Sequence, residues 1–142
     1  MWGNVQNLGQ RWVWPGYGIT IRKNRFIKPE LFTTTAFMMR KSAFEEIGPF
    51  DTDFAPAYYE NVDYSLRAKK LGYKFICSPY CNVNHYTSLA ISAKYTKNEI
   101  RRYYQINRKK VIQKHYSGLD RKIRLVALTL GDAIRGVLPS NT

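Results

Sequence analysis

Apolar positions recur along the chain with a strand-like period only in fragments, and with a helical period over long stretches of its second half. Residues 1–31, "MWGNVQNLGQRWVWPGYGITIRKNRFIKPEL", hold brief alternation at "GITIRK" among glycines, prolines and tryptophans, and read as loops with one short strand. "FTTTAFMMR" is β-branched and apolar, which predicts a buried strand. It runs into "KSAFEEIGPFD", where Ser42 and Glu45 have capping-box spacing and Gly48 with Pro49 supplies a stop, predicting a helix of about two turns. A second helix is expected to begin near Glu60 or Asn61, with Val62 and Leu66 on one row, Tyr64, Ala68 and Leu71 on the next, and Gly72 at its end. "YKFICS" predicts a strand halted by Pro79, and "NVNHYT" a second extended piece carrying His85. The helical period returns from about Ala93 to His115. After "SGLD", Leu119, Ile123, Val126, Ala127, Leu130, Ile134 and Val137 form an apolar stripe opposite Arg121, Arg124, Asp132 and Arg135, which predicts a terminal amphipathic helix. Leu125 and Leu128 fall on its polar side.

The chain's 142 residues, 44% of them hydrophobic, have material for one core or part of one. Charge changes the picture more. Lys and Arg number 23 against 10 Asp and Glu, and the net charge of +13 favours anionic partners such as phosphates, nucleic acid or acidic lipid headgroups. The cations between Ala93 and His115 interleave with tyrosines on packing rows, and no nucleic-acid-binding signature accompanies them, which argues against nucleic acid. Cys77 and Cys81 are too few for a disulfide framework, and the N-terminus lacks the pattern of a secretory leader, so a cytoplasmic setting is expected. No apolar run reaches the roughly 18 to 20 residues of a spanning helix, so membrane contact is expected to be peripheral, on the inner face. Cys77, Cys81 and His85 give three ligands around Pro79, one short of a closed zinc site.

Against this basic background, acids gather in "APAYYENVDYSLRAKK", residues 55–70. Glu60, Asn61 and Asp63 in a first turn, with Arg67, Lys69 and Lys70 later, suit the helix dipole, and capping alone accounts for that order. The same residues suit chemistry: a carboxylate takes a proton from an acceptor hydroxyl, and a downstream imidazole, His85, holds a divalent ion. The plain alternatives are that Asp63 pairs with a cation and that His85 bonds a backbone carbonyl. "WVWPGYG", with Trp14, either offers aromatic faces to a sugar ring or packs in a core and turns.

Order is more telling than type. "TTTAFMMRKSAFEEIGPFDTDFAPAYYENVDYSLRAKKLGYKFICSPYCNVNHYTS" resembles the C-terminal half of family 2 glycosyltransferases of the GT-A fold. That family runs through a small-residue strand ending in "fmliRr", a "FeeiGgFDe" helix and turn, a "yyEDvDlclRa" helix start, a "lGyk" strand, a proline, and "vxH" with a nearby serine. The later "YYQINRKKVIQKHY" resembles the family's next helix, so the likeness covers roughly residues 30–116. It implies an α/β fold: a partial GT-A-like domain, a short mixed sheet with flanking helices, in residues 1–116, followed by a C-terminal amphipathic helix in 117–142.

The resemblance further implies inverting transfer of a sugar from a nucleotide-sugar to a glycan or lipid-linked acceptor. Glu60 matches the first acid of the catalytic pair, and Asn61 stands where the family has its base Asp, although an amide accepts no proton at neutral pH. Glu60 is the first choice for the base and Asp63 the second. His85 matches the ligand of the metal, Mn2+ or Mg2+, that holds the donor diphosphate; Ser88 supports the phosphates; and Phe50 with Asp51 matches the turn that shapes the acceptor side. The family's N-terminal nucleotide-binding half and its Asp-x-Asp motif have no counterpart, since "DTD" at 51–53 belongs to the turn. A truncated transferase is therefore expected, weakly active or inactive without a partner chain or self-association that completes it. A basic binding or scaffold module derived from such an enzyme is the alternative, and a nucleic-acid-binding protein the third reading.

Overall fold

The computed structural model describes residues 9–21, 26–78, 80, 83 and 89–137, with side chains through 134. Its described residues form a mixed α/β arrangement of one two-stranded antiparallel sheet and five helices, 53% helical. Strands β1 (Gln10–Val13) and β2 (Tyr17–Thr20) pair as a hairpin in the register Gln10↔Thr20 to Val13↔Tyr17, with a cis Trp14–Pro15 bond at the turn. The alternation of "GITIRK" marks β2, whereas β1 lies in a stretch that reads as loop. Gly16 seats the turn on two helices: a Cβ there would lie 3.0 Å from Ile112 Cδ1 and 3.5 Å from Leu128 Cδ1.

The expected mixed sheet is absent among the described residues. "FTTTAFMMR" is a loop rather than a strand, and "YKFICS" is extended chain touching only an isolated bridge, Ile27↔Cys77. A strand needs a ladder for its backbone groups. Here a helix takes that role, because the Phe32 N–H donates to Ser65 Oγ at 3.2 Å and the Phe32 carbonyl accepts from Asn61 Nδ2 at 2.8 Å. Asn61 and Ser65 lie one turn apart on that helix. Beyond Phe32 the segment opens to solvent, with Met38 99% exposed. "NVNHYT", apart from Val83, lies outside the described residues, as do His85 and Ser88.

The helices are α1 (Lys41–Ile47), α2 (Glu60–Lys70), α3 (Leu89–Ser92), α4 (Lys97–His115) and α5 (Gly118–Val137). The capping box expected at Ser42 and Glu45 is not made: α1 is capped at Arg40 without a side-chain bond, which places Ser42 inside the first turn. The stop at Gly48 is made, with φ 83° and its N–H on the Phe44 carbonyl. A capping box does open α4, where the Thr96 hydroxyl accepts from the Glu99 N–H and the Glu99 carboxylate accepts from the Thr96 N–H, so the helix starts at Lys97 rather than Ala93.

The core gathers Leu31, Phe54, Tyr59, Val62 and Val111, with Trp12, Tyr58 and Leu66 against it. Beside it, Phe32 contacts the rings of Phe37, Phe50, Tyr64 and Phe75. Helix α5 packs by the face that reads as polar. Leu128 is fully buried, Arg124 donates to the Pro15 carbonyl at 3.1 Å, and Asp132 pairs with the buried Arg108. The apolar stripe points outward instead, with Leu119, Ile123, Val126, Leu130 and Ile134 between 48% and 72% exposed.

Candidate functional site

One row of α4 grips the loop that leads into α2. The two amide protons of Asn107 are shared among the carbonyls of Phe54, Ala57 and Tyr58 at 2.8, 2.9 and 3.0 Å. Lys110 donates to the Asp53 carbonyl, and Lys114 to Asp51 at 2.6 Å. Spacings of three and four put these three side chains on one helical face. The loop ends with Tyr58 and Tyr59 both in the left-handed region, at φ 76° and 70°. Such a backbone costs on the order of 1 kcal/mol or more for each non-glycine residue. Tyr59 is kept there by burial, by its hydroxyl donating to the Gly16 carbonyl at 3.2 Å, and by edge contacts with Trp12 and Tyr104. Burial pushes the Tyr59 hydroxyl pKa far up, so it stays a donor.

Glu60 follows this strained pair as the first residue of α2. Its Oε1 accepts from the Thr34 hydroxyl at 3.2 Å, while Oε2 is buried with no hydrogen-bond partner. Asn61 spends its amide protons on the Phe32 carbonyl, a bond no carboxylate can donate.

Asp63 is wholly buried and meets two cations and an imidazole: Arg67 Nε at 2.9 Å, Lys114 Nζ at 2.8 Å and His115 Nε2 at 2.7 Å. Burial pushes its carboxyl up, but the bonds from His115, Lys114 and Arg67 outweigh that and hold it well below the usual carboxylate range. Arg67 also donates to the carbonyls of Ile47 and Pro49 at 2.6 and 2.8 Å, so the pair ties the end of α1 to α2. For Lys114, burial lowers the pKa, but Asp51 and Asp63 raise it further, and the net shift is upward.

Asp51 is a turn residue, its carboxylate accepting from the Asp53 N–H at 2.9 Å at the head of the 3-10 turn Thr52–Phe54. Lys114 and that N–H hold its carboxyl low. Phe50 is half-buried and stacks on Tyr64 with centroids 4.5 Å apart. Trp14 stands 56% exposed at the hairpin turn. The structure thus brings Asp51 and Asp63 onto one ammonium, Phe50 onto Tyr64, and Glu60 beside Thr34.

The sequence reading passed over Thr34, Asn107 and Lys114 as site residues. The available signal was polar residues at positions 107, 110 and 114, spaced as a packing row. Among the described residues no three His, Cys, Asp or Glu side chains come together to hold a metal. Where Asp51 and Asp63 converge, the Lys114 ammonium takes the place of a cation.

No protein-family model, curated protein or solved structure matches the chain.

Proposed function

We propose that the chain forms the acceptor-side half of an inverting, family 2-like glycosyltransferase of GT-A-like fold, moving a sugar from a nucleotide-sugar to a glycan or lipid-linked acceptor. The observation that carries this reading is Glu60, a carboxylate with one oxygen buried and unbonded, at a helix start set by two strained tyrosines. An oxygen without an internal donor is one that an acceptor hydroxyl can complete. The motif order from Thr33 to Ser88 supports the assignment. The Glu60 carboxylate takes the hydroxyl proton, the freed oxygen attacks the anomeric carbon, and the nucleoside diphosphate leaves from the opposite face with the bonding pair.

Asn61 and Ser65 position the segment that carries Thr34, and Asp63 fixes α2 against α4. Phe50 and Asp51 shape the acceptor side, and Trp14 presents a ring to a pyranose face. Donor binding, with an Asp-x-Asp motif, falls to a partner chain that supplies the N-terminal half, and the motif resemblance assigns His85 and Ser88 to the diphosphate. A bound Mn2+ or Mg2+ would neutralise charge on that leaving group. One observation favours the alternative of a non-catalytic basic module: the residue at the family's base position is an amide already engaged with backbone.

The test is nucleoside diphosphate binding and release from nucleotide-sugars, with and without Mn2+, for the chain alone and co-expressed with a donor-binding half. Glu60→Gln is expected to lower release by about 10²- to 10⁴-fold, the usual weight of a general base, at unchanged Tm. Equal activity in Glu60→Gln, or a folded chain that neither binds nor releases nucleotide in either setting, points to the scaffold module.

A further inference from the structure

The terminal helix presents its apolar side to solvent, against the usual rule that an amphipathic helix buries that side. Leu119, Ile123, Val126, Leu130 and Ile134 follow one another at intervals of four, three, four and four residues, a continuous stripe about 22 Å long at the helical rise of about 1.5 Å per residue. The opposite face is bolted to the body through Leu128, through Arg124 on the Pro15 carbonyl, and through the Arg108–Asp132 pair. The outward stripe is thus fixed in orientation, and turning it inward would break a buried ion pair.

Charge selects the occupant. The chain carries +13, and α5 adds exposed Lys122 on the flank of the stripe, where its own helix has no carboxylate to spare, because Asp120 is held by Arg124 and Asp132 by Arg108 and Lys109. Arg102 is exposed on α4, the helix against which α5 packs. A second copy seated on the stripe would bring two chains of +13 together, which disfavours a homodimer. A surface that is apolar below and anionic above satisfies both the stripe and the charge. No helix among the described residues is long and apolar enough to cross a membrane, so the contact lies in the plane of the interface.

We infer that the outward stripe of α5 docks this chain on an anionic lipid bilayer. The inference does not rest on the transferase reading. The experiment is flotation of the 142-residue chain with vesicles of equimolar phosphatidylcholine and phosphatidylglycerol, and with phosphatidylcholine alone, alongside light scattering for oligomeric state. The wild type is expected to float with the anionic vesicles and to bind neutral ones about tenfold or more weakly. Leu130→Ser should lower binding to anionic vesicles by about tenfold while its melting curve moves little, since most of the side chain faces solvent. Three results would overturn the inference: a folded wild type that stays in the soluble fraction with both vesicles; binding that Leu130→Ser and Val126→Ser leave unchanged; or a dimer that the same substitutions dissolve, which would assign the stripe to a second copy.

Discussion

Asp63 and Asn61 stand two positions apart and do opposite jobs, and each job dictates what a substitution does. Asp63, itself fully buried, answers Arg67, Lys114 and His115, so Asp63→Asn takes the carboxylate away from two partly solvated cations and an imidazole and is expected to cost about 3 kcal/mol in urea unfolding. Its carboxyl is held low in the folded chain, so the stability it contributes is complete above the ordinary carboxylate pKa of about 3.9 and is lost as pH falls toward the lowered native value. Lys114, whose pKa is raised, contributes below its ordinary value near 10.4 and loses that contribution as pH rises through the shifted one. A pH series of melting curves should therefore show a plateau with an acid flank that Asp63→Asn makes smaller, Asp51 supplying the remainder; an acid flank that the substitution leaves unchanged would move the titration elsewhere. Asn61 must donate, and Asn61→Asp sets a carboxylate against the Phe32 carbonyl. The expected loss is about 1–3 kcal/mol, with Glu60→Gln near neutral in the same assay.

At the scale of elements, α4 works as a clamp whose grip depends on where it starts. The Thr96 box fixes its first turn, and Thr96→Ala is expected to lower stability by about 1 kcal/mol by chemical denaturation. A larger loss should follow Asn107→Leu, which keeps the branched side-chain shape but strips the donors from three carbonyls of the loop before Glu60. Proteolysis between residues 51 and 59 should then speed up while cleavage elsewhere stays as in the parent. Helix α2 was legible from sequence because its limits are local: acids in the first turn and a glycine at the end. Strand propensity misled at "FTTTAFMMR", since β-branched residues specify a strand only where a neighbour offers a ladder, and two α2 side chains had taken that place. Stripe periodicity found α5 but not its orientation, because which face turns inward was decided by Arg108, distant in sequence and paired with Asp132. The same distance hid the site's division of labour. Glu60 and Asp63 are named by their spacing, yet the partner that makes Asp63 structural, His115, lies 52 residues away.

For the whole molecule, the unbalanced charge sets stability and surface binding against each other. A net charge of +13 on 142 residues repels itself in the compact state, and salt screens that repulsion between exposed groups as the Debye length shortens, to about 10 Å at 0.1 M. The buried pairs, Asp63 with its three partners and Arg108 with Asp132, are screened far less. Raising NaCl from about 0.05 to 0.5 M is therefore expected to lift Tm by about 3–5 °C, the shift that roughly 1 kcal/mol gives a chain of this length. The same salt weakens attraction to anionic vesicles, so the chain should become more stable and less membrane-bound along one titration. A fall of Tm with salt would mean that exposed ion pairs such as Lys41–Glu45 and Arg124–Asp120 outweigh the repulsion, contrary to the small worth of such pairs. Vesicle binding that ignores salt while Tm rises would leave the apolar stripe as the whole attraction, with the surrounding cations serving only to keep copies of the chain apart.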